Sequence, residues 1–158
     1  MASLPDLFSR VILSPRVMAT REQLKELSQL RLKEAEALFA AGLFDGCAYL
    51  CGYVVEFALK ARVCATLGIE EYPEKVSRRL KDAFWTHDLD ELKLLAGLEQ
   101  EISARSPSLL SNWSIANKWK PDRRYASPGS YDKAAAEEML NAIRVKPDGV
   151  LECISSRW

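Results

Sequence analysis

The stretch from Ala48 to Leu67, AYLCGYVVEFALKARVCATL, is the feature that most constrains how this chain can fold. Its apolar residues fall on every side of a helix, and neighbouring elements must enclose a helix of that kind. Glu56 and Lys60 are among its few polar residues, and their spacing of four with the acid first favours an intrahelical ion pair. The sequence therefore predicts a buried central helix with a structural ion pair between Glu56 and Lys60.

Length and charge describe an ordinary globular chain. Its 158 residues, 48% of them hydrophobic and 28% charged, suffice for one domain with its own core. The 22 Lys and Arg residues balance the 22 Asp and Glu residues, so binding to nucleic acid would require a local basic patch. Charged residues interrupt the apolar N-terminal segment, and no apolar run approaches membrane-spanning length. We therefore expect a cytoplasmic protein with no membrane partner.

The four cysteines do not form the pattern of a disulfide framework or of a metal site. Cys47, Cys51 and Cys64 fall on or beside the predicted central helix, where sulfur behaves as a small hydrophobe. Cys47 and Cys51 are one helical turn apart, but no second such pair and no clustered histidine completes a zinc site. The chain also lacks a glycine-rich phosphate loop, paired catalytic carboxylates and a serine triad. We predict neither metal nor cofactor.

Taken in order, the chain is predicted to be helical. Residues 1–19 contain two prolines and short apolar patches, typical of an N-terminal arm laid on a surface. A helix from Thr20 to Gly42 and the central helix are joined by a short turn, which predicts an antiparallel hairpin. Further helices are predicted over about 73–84, 87–97, 106–113 and 130–144, with a short amphipathic turn after 147. We find no convincing strand, and predict an all-α, up-and-down helical bundle of five or six helices built on that long hairpin, as one domain over 20–158.

A basic and aromatic segment, residues 113–125, is read as a loop with binding potential. Aromatic faces stack on bases while cations meet phosphates, the combination that single-stranded nucleic acid or a nucleotide needs. Trp113 ends an apolar helix and is expected in the core, and the alternative for the whole segment is scaffold. The candidate nucleotide- or RNA-binding residues are Lys118, Trp119, Lys120, Arg123, Arg124 and Tyr125.

Six short motifs carry a resemblance to a known family. They are RLKEA at 31–35, AGLFD at 41–45, YLCGY at 49–53, EFALKA at 56–61, HDL at 87–89 and RY at 124–125. Their order and spacing, over about residues 20–145, resemble the HEPN domains, named for higher eukaryotes and prokaryotes nucleotide-binding. The resemblance implies a compact helical bundle, commonly a homodimer, that binds nucleotide or cuts RNA without a metal. It also implies, for some members, a nucleotidyltransferase partner in a toxin–antitoxin module.

The ribonuclease branch of that family is marked by an arginine, four to six residues, and then a histidine. The one histidine here, His87, follows Arg79 after seven residues, so the motif is absent in that form. The sixth intervening position after Arg124 leads to Tyr131, and tyrosine lacks the imidazole pKa of about 6.5 that suits proton transfer near neutrality. The structural interpretation of His87 is a residue at a helix start whose imidazole bonds a backbone group.

We therefore expect a binding protein rather than an enzyme. Its ligand would be nucleotide or RNA, or it would be the interacting half of a toxin–antitoxin or defence module with a nucleotidyltransferase-type partner. One alternative is a metal-independent endoribonuclease with a non-standard site, for which His87, Arg124 and Tyr131 are the candidate catalytic residues. The other is a structural dimerisation module.

Overall fold

The computed structural model describes residues 19–73 and 83–158. In these two ranges the chain is mostly helical and has no β-strand, although an isolated antiparallel bridge joins Thr20 to Glu71. The prediction of an all-α chain is confirmed for the described part, where seven α-helices and one 3-10 helix exceed the five or six expected. The elements are α1 (Arg21–Ala40), α2 (Phe44–Leu67), α3 (Leu89–Leu95), α4 (Glu99–Ala104), α5 (Pro107–Ala116), the 3-10 helix (Pro121–Tyr125), α6 (Lys133–Arg144) and α7 (Val150–Ser155).

Two predicted features fall largely outside the described residues. They are the N-terminal arm, of which only position 19 is described, and the helix over about 73–84. No helix within the described ranges is both long and apolar enough to cross a membrane.

The first two helices pack along each other in opposite directions. Thr20 caps α1 through a capping box with Gln23, and the connection to α2 turns at Gly42, whose φ of +75° lies in the left-handed region. Near the turn, the Leu38 side chain lies beside Gly46. Further along, the Ser28 hydroxyl donates to the Val54 carbonyl at 2.8 Å, so the contacts run in antiparallel order.

The central helix is α2, as its apolar sequence predicts. It contacts α1, α3, the 3-10 helix, α5, α6 and α7, and its side chains are buried on several sides. Leu59 is fully buried. The four cysteines are also fully or almost fully buried, and each has a free thiol. The cysteines therefore serve as small apolar residues of the core.

Side-chain caps define the starts of the shorter helices. Asp88 caps α3, Ser106 caps α5 and Asp132 caps α6, each accepting from backbone N–H groups of the first turn. The segment predicted as a loop contains the end of α5 and the whole 3-10 helix, because α5 continues past Trp113 to Ala116.

Candidate functional site

A cleft of about 400 Å³ opens between the start of α2, the 3-10 helix and the turn that follows it. Tyr49 projects into it from α2, Arg123 and Arg124 from the 3-10 helix, and Tyr131 from the segment before α6. The structure thus brings together two predicted phosphate contacts, Arg123 and Arg124, and two predicted catalytic candidates, Arg124 and Tyr131. Tyr49 also lines the cleft, and in the sequence it stands out only as part of the YLCGY motif at 49–53.

Asp45, in the first turn of α2, holds the far wall of the cleft. Its carboxylate accepts from the Gly129 N–H at 2.6 Å and from the Tyr131 N–H at 2.7 Å. These backbone hydrogen bonds lower the pKa of the Asp45 carboxyl, and the bond from Tyr131 has the largest effect. Gly129 has a φ of +82°, a left-handed conformation that favours glycine at this turn. The wall is therefore fixed by contacts within the protein.

The two arginines lie against aromatic rings. The Arg123 guanidinium carbon is 5.2 Å from the ring centroid of Tyr131, and that of Arg124 is 4.8 Å from the centroid of Tyr125. Hydrogen bonds to Tyr125 and then to Tyr49 raise the pKa of Arg124. Among the described residues neither guanidinium forms a salt bridge, so the neighbouring Asp122 does not neutralise them. Both positive charges are available to an anion.

Trp119 does not have the base-stacking role predicted for it. Its side chain is fully buried beneath the cleft, and its indole Nε1–H donates to the Tyr49 carbonyl at 3.0 Å. One ring face lies on Gly52 of α2, and the Tyr53 ring packs edge-on with centroids 5.0 Å apart. Because both the ring and its N–H are enclosed, Trp119 belongs to the core.

The remaining predicted binding residues lie outside the cleft lining. Lys118 is exposed, and Tyr125 is 79% exposed on the outer side of the 3-10 helix. The Lys120 ammonium is 2.8 Å from the Asp88 carboxylate, and this contact lowers the pKa of Asp88. Lys120 therefore connects the 3-10 helix to the start of α3, and its charge is already paired.

A second polar cluster surrounds Glu56, farther along α2. Glu56 is only 1% exposed, and the Lys60 ammonium lies 2.8 Å from its Oε1, in the ion pair that the sequence spacing predicts. His87 Nδ1 lies 2.9 Å from Oε1 and 3.0 Å from Oε2 of the same carboxylate. The imidazole thus contacts a side chain instead of the backbone group expected from sequence. Its side chain is 53% exposed.

The cleft and the Glu56 cluster lie along one face of α2. Asp45, Tyr49, Tyr53, Glu56 and Lys60 recur every three or four residues, the interval that aligns helical side chains. The hydroxyls of Tyr49 and Tyr53 are 3.0 Å apart. Burial and then that hydrogen bond raise the pKa of Tyr53 to about 12, so its hydroxyl stays protonated at neutral pH. Polar groups therefore extend from the arginines toward His87.

No protein-family model, curated protein or solved structure significantly matches this chain. Within the described residues, no group of three or more His, Cys, Asp and Glu side chains is arranged to hold a metal ion. The function is accordingly argued from the cleft and the Glu56 cluster.

Proposed function

We propose that this chain is a HEPN-like helical protein that binds a nucleotide or single-stranded RNA in the cleft beside Arg123 and Arg124. The observation that carries the proposal is that two guanidinium groups without carboxylate partners among the described residues line a cleft that also contains Tyr49 and Tyr131. Guanidinium groups recognise phosphate oxygens with paired hydrogen bonds, and aromatic rings and guanidinium planes stack on bases.

The size and rigidity of the cleft suit such a ligand. Its volume of about 400 Å³ falls within the range of roughly 300–1,000 Å³ typical of small-molecule sites. The Asp45 carboxylate holds the opposite wall in place through Gly129 and Tyr131, which reduces the ordering that binding must supply. We also propose that α1 and α2 are the long hairpin of an up-and-down bundle, in keeping with the compact helical bundle that the resemblance to HEPN domains implies.

Binding assays with a labelled six-nucleotide single-stranded RNA and with AMP test the proposal. Because hydrogen bonds to charged groups contribute about 1.5–3 kcal/mol each, replacing Arg123 and Arg124 together by alanine should weaken binding by at least tenfold. Affinity of the unchanged protein for RNA should fall as salt rises. Arg144→Ala is the control, because Arg144 pairs with Glu36 on α1 and does not line the cleft. Equal affinity of the double variant and the unchanged protein would contradict the proposal.

The family resemblance also motivates two partner proposals. The first is a homodimer, and light scattering that gives the monomer mass at micromolar concentration would contradict it. The second is a nucleotidyltransferase-type partner in a toxin–antitoxin or defence module. Co-purification with the product of an adjacent nucleotidyltransferase gene tests that proposal, and recovery of the chain without that product would count against it.

A metal-independent endoribonuclease is the second candidate function. One observation favours it, namely the exposed imidazole of His87 in contact with the buried Glu56 carboxylate, since a carboxylate orients a histidine that transfers protons. RNA cleavage that persists in EDTA and disappears with His87→Ala would support this function. RNA that stays intact with the unchanged protein would exclude it for that substrate.

A further inference from the structure

A contact across 31 residues of sequence joins the only histidine of the chain to its central helix. We propose that Glu56 is a positioning residue for His87. It holds the imidazole with its proton on Nδ1, so that the unprotonated Nε2 faces outward and accepts a hydrogen bond from a ribose hydroxyl of the bound ligand. The ligand part of this inference rests on the proposed RNA-binding function, whereas the tautomer part does not.

The tautomer follows from the chemistry of the contact. An ionised carboxylate only accepts hydrogen bonds, so the proton between Glu56 and Nδ1 must belong to the imidazole. The Lys60 ammonium, 2.8 Å from Oε1, supplies the opposite charge for the buried carboxylate. A neutral imidazole with a proton on Nδ1 is an acceptor at Nε2. Among the described residues Nε2 has no hydrogen-bond partner, and the side chain is about half exposed.

The position of the imidazole is fixed from two directions. Glu56 is part of the buried central helix, and the residue after His87, Asp88, caps α3 by accepting from the N–H groups of Asp90 and Glu91. Asp88 is also paired with Lys120, immediately before the 3-10 helix that carries the two arginines. His87 is therefore held on the same side of α2 as the cleft.

The spacing along α2 indicates the class of ligand. Tyr49, which lines the cleft, and Glu56 are seven residues apart, or about 10 Å along a helix that rises 1.5 Å per residue. Stacked nucleotides advance about 3.4 Å each, so a stacked strand laid along α2 from Tyr49 to Glu56 spans about three nucleotides. The 2′-hydroxyl is the donor that distinguishes RNA from DNA at a given site. We therefore assign His87 to recognition of an oligoribonucleotide.

Nitrogen NMR of the imidazole tests the positioning role directly, because a single histidine gives unambiguous signals. At about pH 8.5, where a free imidazole is neutral, the unchanged protein should show the proton on Nδ1. In Glu56→Gln the amide both donates and accepts, so this preference should be lost, whereas Glu91→Gln, a nearby carboxylate bonded to Thr86, should retain it. A proton on Nε2 in the unchanged protein would overturn the inference even if Glu56→Gln fails to fold.

Binding of matched RNA and DNA strands tests the ligand assignment. The unchanged protein should bind a uridine hexanucleotide about two- to tenfold more tightly than its 2′-deoxy counterpart, the effect of one neutral hydrogen bond. In His87→Ala the ratio of the RNA affinity to the DNA affinity should fall to about one. Equal affinity of the unchanged protein for both strands would overturn the ribose assignment. Absence of binding to either strand would instead refute the proposed function, and the NMR result would still decide the role of Glu56.

Discussion

The indole of Trp119 lies so close to Gly52 that a Cβ atom at position 52 would come within 2.0 Å of the Trp119 Cδ2 atom. Real side chains do not approach that closely, so Trp119 occupies its place only because position 52 has no side chain. The same indole supports Tyr49 through its hydrogen bond to the Tyr49 carbonyl. A glycine inside the central helix thus determines how the floor of the cleft is built.

Gly52→Ala should therefore destabilise the fold. Alanine in a helix interior is normally about 1 kcal/mol more favourable than glycine, but the clash with a buried ring should outweigh this and leave a net cost of about 1–3 kcal/mol. Gly46→Ala is the matched control, because its nearest neighbour is the flexible end of Leu38 at 3.2 Å. Urea denaturation measures both, and a Gly52→Ala variant as stable as the unchanged protein would contradict this packing.

Trp119→Ala should lower the free energy of unfolding by about 3–5 kcal/mol, since it removes a fully buried ring and leaves a cavity. Trp119→Phe retains an aromatic ring but removes the donor to the Tyr49 carbonyl, so its cost should be smaller. Guanidinium denaturation followed by circular dichroism measures both changes. If Trp119→Ala weakened RNA binding without affecting stability, the ring would be a ligand contact after all.

The long helices are predictable from sequence because their signals are local. Thr20 caps α1, Gly42 and Gly68 take left-handed conformations at the two helix ends, and the apolar run of α2 identifies it as the centre. Helix α4 (Glu99–Ala104) was missed because six residues are too few to establish a periodic pattern. The sequence also predicts that α5 ends at Trp113, about one turn before its observed end at Ala116.

The candidate site was only partly predictable, since its key contacts join distant positions. Arg123 and Arg124 were found from local composition. The Glu56–His87 contact spans 31 residues, and the contact from the Tyr131 N–H to Asp45 spans 86, so no local pattern reveals either one. Trp119 is a predicted binding residue because lysines flank it in sequence, whereas its burial depends on a glycine 67 positions earlier. Trp119 packs on Gly52, and no periodic pattern in the sequence indicates that contact.

Tyr53 should titrate later than an ordinary tyrosine. Burial and the hydrogen bond with Tyr49 raise the pKa of Tyr53 to about 12, above the reference value of about 10. The pKa of Tyr53 is higher in the folded protein than in the unfolded chain. Its contribution to the free energy of unfolding is therefore fully present below about pH 10 and is lost as pH rises toward 12. Ultraviolet titration of the unchanged protein and of Tyr53→Phe isolates this phenol, and a difference spectrum with its midpoint near pH 10 would contradict the prediction.

Asp45 should contribute stability that depends on pH in the opposite sense. Hydrogen bonds from the Tyr131 and Gly129 N–H groups lower the pKa of its carboxyl in the folded protein below the usual value of about 3.8. Because the pKa of Asp45 is lower in the folded protein than in the unfolded chain, its contribution to the free energy of unfolding is present above the unfolded pKa. That contribution is lost as pH falls through the folded pKa.

Asp45→Asn should therefore be less stable than the unchanged protein at pH 7, and the difference should shrink as pH falls below about 4. Asp122→Asn removes one carboxylate from the neighbouring 3-10 helix without removing a hydrogen bond among the described residues, so it accounts for the general effect of one charge. Urea denaturation from pH 7 to pH 3 measures the three proteins, and a difference for Asp45→Asn that stays constant over this range would show that the carboxylate does not hold the cleft wall.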